Sequence, residues 1–406
     1  MHVCESAGGS NDQGDAALHR GAVRRDSCCN CHPVAYPCHS PCRLQSIVET
    51  QGEIMSRFPR STIDRRRFLQ LAIGGAGSLA TAPIVGSFGS AVAAEPPARA
   101  KLAKKLTLKF ATIVAESFPY VDGARRWKQL VEERTSGTVE IQVFHTAQLG
   151  DERTINEGIL AGSIHAGVGA GAWAGYVPAY NVVELPFLIR DLKHMYSLAD
   201  GPLGEKLAQQ AESKGFKVLA YYSAGDQHFQ TRNKPVRSLS DMKGLKIRVI
   251  ENRALVDGFR AFGAVPTPLP YPQIYTALQQ GTVDGSANDI LSVTTLKMYE
   301  VAKYFTMSSY VAEPRPVIMS ASFLNGLPSD IQKVLLEAAR ESAVYERKVF
   351  EDKMAGAFQE ARKNGMTFLE LSDREKWVDA VRPVWDEFGK TTPGAAELIQ
   401  IIQRTK

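Results

Sequence analysis

The pattern of apolar and polar positions over residues 241–288 changes period several times, which predicts alternating strands and helices. Residues 247–250 are an apolar run with one cation, which predicts a buried strand. Apolar residues then recur at helical spacing as far as Gly263, which suits a helix C-terminus because glycine adopts positive φ without strain. A strand over 264–269, a helix opened by a proline, and a strand at 283–285 complete a β-α-β-α-β unit. Ligands bind such parallel sheets at the carboxyl ends of the strands.

The chain before this unit has the same kind of pattern. Alternating apolar residues predict strands at 106–110, 139–143 and 164–168, with helices between them. A strand at 218–222 is predicted to enter a second lobe through a hinge at 223–225. The fold class is therefore α/β, with two lobes, a hinge and a ligand cleft.

The pattern after the second unit predicts two return strands and one long helix. Residues 301–307 and 317–320 are the strands that lead back toward the first lobe. The helix has Ser329 or Asp330 as its N-cap, since either side chain can accept from the free N–H groups of the first turn, and it ends at Gly365. The remaining segment predicts helical packing on the second lobe.

These elements give a domain assignment. Residues 95–105 are a flexible leader. Residues 106–225 with 314–348 form lobe I, and residues 226–313 with 349–406 form lobe II.

The N-terminal part of the chain differs in composition from the rest. All six cysteines lie within the first 42 residues, and residues 1–54 are polar without apolar periodicity. This composition favours an upstream extension that precedes a true start at Met55; a zinc cluster is the alternative, although the spacing fits no common finger. Residues 55–94 combine an arginine cluster, an apolar Gly/Ala-rich stretch and a small-residue cleavage pattern at 91–93. They predict a removable export signal rather than a membrane anchor, because glycines and Pro83 weaken an anchor.

Composition and motifs argue against several classes of function. A net charge of +5 over 406 residues gives no case for nucleic-acid binding. The sequence carries no G-x-S-x-G elbow, P-loop or dinucleotide fingerprint after a strand. No histidine pair in the first lobe has helical metal-binding spacing. No catalytic residue, metal or cofactor is therefore predicted.

Several segments together resemble the periplasmic solute-binding proteins of TRAP transporters, the DctP family. They are DMKGLKIRV at 241–249, YTALQQGTVDG at 275–285, ELPFL at 184–188 and AQLG at 147–150. The resemblance covers residues 106–387. It implies a two-lobed periplasmic binding protein, similar to type II, with a ligand cleft and a long helix that braces both lobes.

The resemblance also implies roles for individual residues. Arg248 corresponds to the arginine that clamps the ligand carboxylate, and guanidinium suits this because it offers two parallel N–H donors. Asn288 corresponds to a ligand-contacting asparagine, and Tyr271 to an aromatic residue that packs against the ligand. An internal salt bridge from Arg248 to Glu251 or Asp284 is the alternative interpretation.

Five further residues are weaker candidates for substrate binding. Many relatives carry an arginine near the position of Gln227, so this chain lacks one cation, which favours a less charged ligand or one held by a single carboxylate. Gln148 and Glu116 lie in loops expected to face the cleft. Trp173 borders the cleft wall or packs in the core. Glu251 would repel a second carboxylate or accept a hydroxyl hydrogen bond.

The resemblance implies a function in transport. The protein would capture a small organic acid in the periplasm and deliver it to the small and large integral subunits of a TRAP permease. DRRRFLQ at 64–70 resembles a twin-arginine export signal. The alternatives are an exported α/β enzyme acting on a carboxylic acid and a ligand-sensing module for a membrane receptor. The identity of the acid and the oligomeric state stay open.

Overall fold

One mixed β-sheet runs through the whole folded domain. The computed structural model describes Ala100 and residues 102–405, so the predicted upstream extension, the export signal and most of the leader lie outside the described residues. The strands are β1 (Leu106–Ala111), β2 (Val139–Phe144), β3 (Ala166–Val168), β4 (Phe216–Thr231), β5 (Lys246–Val249), β6 (Val265–Pro268), β7 (Gly285–Asn288), β8 (Tyr304–Ser320) and β9 (Thr367–Glu370). Their order in the sheet is β2-β1-β3-β8-β4-β7-β5-β6, and β9 pairs with β8.

Helices cover both faces of this sheet, and each face has its own apolar core. Successive strand residues point to opposite faces, so Phe110 and Tyr222 belong to one core while their neighbours Ala111 and Tyr221 belong to the other. Every helix in the described part is too short or too polar to cross a membrane. The helices are α1 (Pro119–Arg134), α2 (Glu152–Ala161), α3 (Leu192–Ala199), α4 (Pro202–Glu212), α5 (Arg253–Ala261), α6 (Ile274–Gln280), α7 (Ile290–Thr295), α8 (Ala321–Asn325), α9 (Ser329–Lys363), α10 (Arg374–Thr391) and α11 (Ala395–Arg404).

The two longest strands, β4 and β8, connect the two lobes. They pair antiparallel along most of their length, and the register shifts between Ser223 and Asp226. Gly225 lies in this bulge with a φ of 68°, and a Cβ there would meet the ring of Phe350 at 2.4 Å, so only glycine fits. The predicted hinge at residues 223–225 is therefore a strand bulge and not a loop.

Three sequence predictions about these elements were wrong in detail. Residues 301–307 and 317–320 are not two strands, because β8 continues through the polar, proline-containing stretch between them. The third strand of the central unit begins at Gly285 instead of ending there, since β7 is made of small and polar residues that give no apolar signal. Pro328 is the N-cap of α9, so Ser329 and Asp330 do not cap it.

The long helix was predicted correctly, and it contacts both lobes. α9 is 35 residues long and packs against α1 of lobe I and α7 of lobe II. α10 packs against α5 of lobe II, as predicted, whereas the last helix, α11, packs against α4 of lobe I. The C-terminal segment therefore contacts both lobes, and the residue-level lobe boundaries stay a prediction.

Candidate functional site

Arg248 is a buried cation with free hydrogen-bonding capacity. It lies on β5, between β6 and β7, and only 1% of the residue is exposed. Its Nε donates to the carbonyl oxygen of Leu269 over 2.9 Å, while its buried Nη1 has no partner among the described residues. Burial lowers the pKa of Arg248 to about 10, so it stays charged at neutral pH. A buried charge with an unused donor is costly unless a ligand or solvent compensates it.

The alternative of an internal salt bridge for Arg248 is wrong. The carboxylate of Glu251 instead pairs with Arg153 of lobe I over 3.2 Å. The carboxylate of Asp284 accepts from the backbone N–H of Lys246 over 2.8 Å. Neither acid neutralises Arg248.

Asn288 and Tyr271 lie beside Arg248 in one cavity. Asn288 is the last residue of β7, which pairs in parallel with β5, so both side chains come from the carboxyl-end region of neighbouring strands. The side-chain oxygen of Asn288 accepts from the hydroxyl of Ser286. The hydroxyl of Tyr271 donates to Ser292 over 3.2 Å, which fixes the ring against the cavity.

Lobe I contributes polar groups to this cavity that the sequence did not identify. Thr112 follows β1 directly, and its buried Oγ1 has no partner among the described residues. Glu152 stands at the start of α2, and Oε2 of its carboxylate accepts from the backbone N–H of Ala172 over 3.4 Å. Burial raises the pKa of Glu152. The sequence features that could have pointed to these two residues were a threonine at a strand end and an acid just after the AQLG segment.

Arg315 on β8 is a second arginine in the cavity that the sequence did not identify. Its Nη1 donates to Glu184, the first residue of ELPFL, over 2.9 Å, and its Nη2 donates to Glu313. All three side chains are buried. Burial raises the pKa of Glu313 well above its ordinary value. Two carboxyl groups thus accept from both ends of the Arg315 fork, so this residue does not replace the cation missing near Gln227.

The remaining predicted site residues fall into two groups. Gln227 lines the cavity, and Glu251 lines a neighbouring pocket that shares Arg248 and Tyr271 with the cavity. Trp173 is fully buried and packs edge-on against two aromatic neighbours, in agreement with its core interpretation. Glu116 is paired with Arg125 at the surface, and Gln148 is exposed. The structure does not bring these last three residues to the cavity.

Residues 110–391, which include the whole cavity, match the DctP family, bacterial extracellular solute-binding protein, family 7. The chain belongs to this family. It is similar to the 2,3-diketo-L-gulonate-binding periplasmic protein YiaO of Escherichia coli (strain K12), with 30% identity over 70% of this chain and 87% of the relative. DctP relatives of this kind are TRAP periplasmic solute-binding proteins, so this chain is one as well, and its compartment is the periplasm.

Solved DctP structures have the same fold. A TRAP periplasmic solute-binding protein from Polaromonas sp. JS666, bound to D-erythronate, is 33% identical with a TM-score of 0.72 and covers 74% of this chain and 99% of its own. One from Roseobacter denitrificans, bound to β-D-glucuronate, is 29% identical with a TM-score of 0.72 and covers 74% and 100%. The predicted two-lobed α/β fold is confirmed.

Proposed function

We propose that this solute-binding protein captures a small organic acid by clamping its carboxylate on Arg248. The observation that carries the proposal is the buried Nη1 of Arg248, which has no partner among the described residues. A carboxylate in the cavity would accept from Nη1, and the amide of Asn288 offers a further donor beside it. Tyr271 would pack against the carbon chain of the ligand.

The chemistry of the cavity supports a monocarboxylate with hydroxyl groups. Among the described residues, two arginines line the cavity, Arg248 and Arg315. Arg315 is already paired with Glu184 and Glu313, so Arg248 is the cavity cation without an acidic partner. Hydroxyl groups of a ligand would find partners in Thr112 and Gln227. Sugar acids have this combination of groups, and relatives with this fold carry D-erythronate and β-D-glucuronate.

The remaining steps of transport are part of the same proposal. The loaded protein would dock on the small and large subunits of a TRAP permease, and it would release the acid unchanged rather than act as an enzyme. Export would use the twin-arginine pair in residues 64–70. Secretion that stops when Arg65 and Arg66 are both changed to lysine, and in a strain without the twin-arginine machinery, would support that route.

The test of the clamp is thermal unfolding of the domain from residue 95 onward with D-erythronate, D-glucuronate, succinate, butyrate and the neutral polyol erythritol. A ligand that binds only the native state stabilises it by about 2.7 kcal/mol at a hundredfold excess over Kd. Arg248→Lys keeps the charge but loses the fork, so we expect Kd of the best acid to rise about 10- to 100-fold. Arg260→Lys, an exposed arginine of the same lobe paired with Asp257, is the matched control.

Two outcomes would contradict the proposal. If no acid stabilises the wild-type protein, the ligand class is wrong. If an acid binds Arg248→Lys and the wild type equally well, Arg248 is structural and the clamp lies elsewhere.

A further inference from the structure

The acids around the cavity differ in how much hydrogen-bonding capacity they retain. Glu184 and Glu313 both accept from Arg315. Asp289 caps α7, and its two oxygens accept from the backbone N–H and the hydroxyl of Ser292. Glu152 is different, because it makes no ion pair with any described residue and its one hydrogen bond, to the backbone N–H of Ala172, is long at 3.4 Å. It therefore keeps most of its accepting capacity.

Glu152 also faces Arg248 from the opposite lobe. Both side chains line the same cavity and a neighbouring pocket, Arg248 from β5 of lobe II and Glu152 from α2 of lobe I. The two charges are close enough to influence one another, yet they do not form an ion pair. The cavity that both side chains line is the space in which a ligand would be held.

We infer that Glu152 is a specificity-determining residue that accepts hydrogen bonds from ligand hydroxyl groups and repels a second carboxylate. The inference rests on the proposed function, in which Arg248 holds the first carboxylate. A ligand would then place its anionic end on lobe II and its hydroxyl end on lobe I, so only a hydroxy acid bridges both lobes. A dicarboxylate would bring its second negative charge to a partly buried acid, where a dielectric lower than that of water strengthens repulsion.

Four acids of known chemistry separate these contributions. D-Erythronate, butyrate and succinate share a four-carbon acid chain and differ in hydroxyl groups and in a second carboxylate, while D-glucuronate is a larger hydroxy acid. In the wild type, a hydroxy acid should bind at least tenfold tighter than butyrate and succinate, by calorimetry at one pH and salt concentration. A wild type that binds butyrate or succinate equally well would overturn the inference.

Glu152→Gln tests the residue itself. Glutamine keeps the shape but loses the charge, so the hydroxy acid should bind about tenfold more weakly because a charge-assisted hydrogen bond becomes a neutral one. Butyrate should stay within about twofold, and succinate should gain several-fold because repulsion is replaced by an N–H donor. Glu157→Gln, on the same helix and exposed, is the control and should change none of the three.

The failure of this inference can be distinguished from failure of the proposed function. If Glu152→Gln shifts Kd of the hydroxy acid and of butyrate by the same factor, or leaves the preference over succinate unchanged, Glu152 does not set specificity, although the Arg248 clamp still stands. If the wild type binds none of the four acids, both the clamp and the role of Glu152 are wrong.

Discussion

Gly171 allows the two lobes to approach one another at the edge of the cavity. It is the first residue of the 3-10 helix Gly171–Gly175, which follows β3 of lobe I. A Cβ at this position would lie 2.1 Å from Cγ2 of Ile250 and 3.1 Å from its Cβ, on lobe II. Apolar carbons normally stay about 3.5–4.0 Å apart. Gly171→Ala therefore requires a separation of roughly 1.5 Å or a displaced Ile250.

The expected cost of Gly171→Ala applies to closure and not to folding. Inserting a methyl group into a packed contact costs about 1–3 kcal/mol. We expect the lobes to separate when no ligand is bound, so the free energy of unfolding of the ligand-free protein should change little. The cost then reduces the closed, binding-competent population, and Kd of the best acid should rise about 5- to 100-fold.

The assay is calorimetric titration of the acid, together with thermal unfolding of the ligand-free protein. Gly175→Ala is the matched control, because it lies in the same 3-10 helix and a Cβ there would have open space around it. Ile250→Ala removes Cγ2, so the double variant should lose less affinity than the sum of the two single variants. Unchanged affinity in Gly171→Ala, or a loss equal to that of Gly175→Ala, would refute the reasoning.

Two further predictions concern charged groups near the cavity. Glu251→Gln removes the partially exposed ion pair with Arg153, so Kd of the best acid should rise by less than about fivefold. The difference in Kd from the wild type should vanish in 1 M NaCl, because salt screens exposed charges. A large loss of affinity that does not depend on salt would contradict a surface ion pair. Burial raises the pKa of Asp289 from 3.8 to about 6, so the folded state binds the proton of this carboxyl more tightly than the unfolded state does. The stability that this proton contributes to the folded state is therefore lost as pH rises from about 4 to about 6. Asp289→Asn keeps the helix cap and should raise the free energy of unfolding at pH 7 by up to about 3 kcal/mol. The measurement is urea unfolding of the ligand-free protein between pH 4 and 7. If the free energy of unfolding of the variant follows the same pH dependence as that of the wild type, the prediction is wrong.

The sequence predicted the elements whose apolar pattern was strong. The alternation at Leu106, Leu108 and Phe110 and the helical spacing around Trp127 correspond to β1 and α1. The pattern failed where the chain is buried but not apolar. β7 consists of Gly285, Ser286, Ala287 and Asn288, and its burial comes from two neighbouring strands rather than from hydrophobic side chains.

The site was predictable only for residues embedded in a recognisable segment. Arg248 became a candidate because it lies in the segment DMKGLKIRV, and Asn288 because it follows YTALQQGTVDG, both of which resemble the family. Thr112, Glu152 and Arg315 are far apart in sequence, and only the folding of both lobes around β4 and β8 brings them to one cavity. Trp173 shows the converse, because a tryptophan beside a glycine-rich stretch gives the same sequence signal in a core as in a cleft wall.

The buried charges explain why the absence of an arginine near Gln227 matters for recognition. A second cation in the cavity would compensate a second ligand carboxylate, and Arg315 is placed to be that cation. Its two terminal nitrogens, however, already donate to Glu184 and Glu313, and removing it from these partners would leave buried acids uncompensated. The charge available to a ligand is therefore that of Arg248 alone, among the described cavity residues. Arg248 without an acidic partner, opposite Glu152 without an ion pair among the described residues, supports the proposal of a ligand that is anionic at one end and hydroxylated at the other.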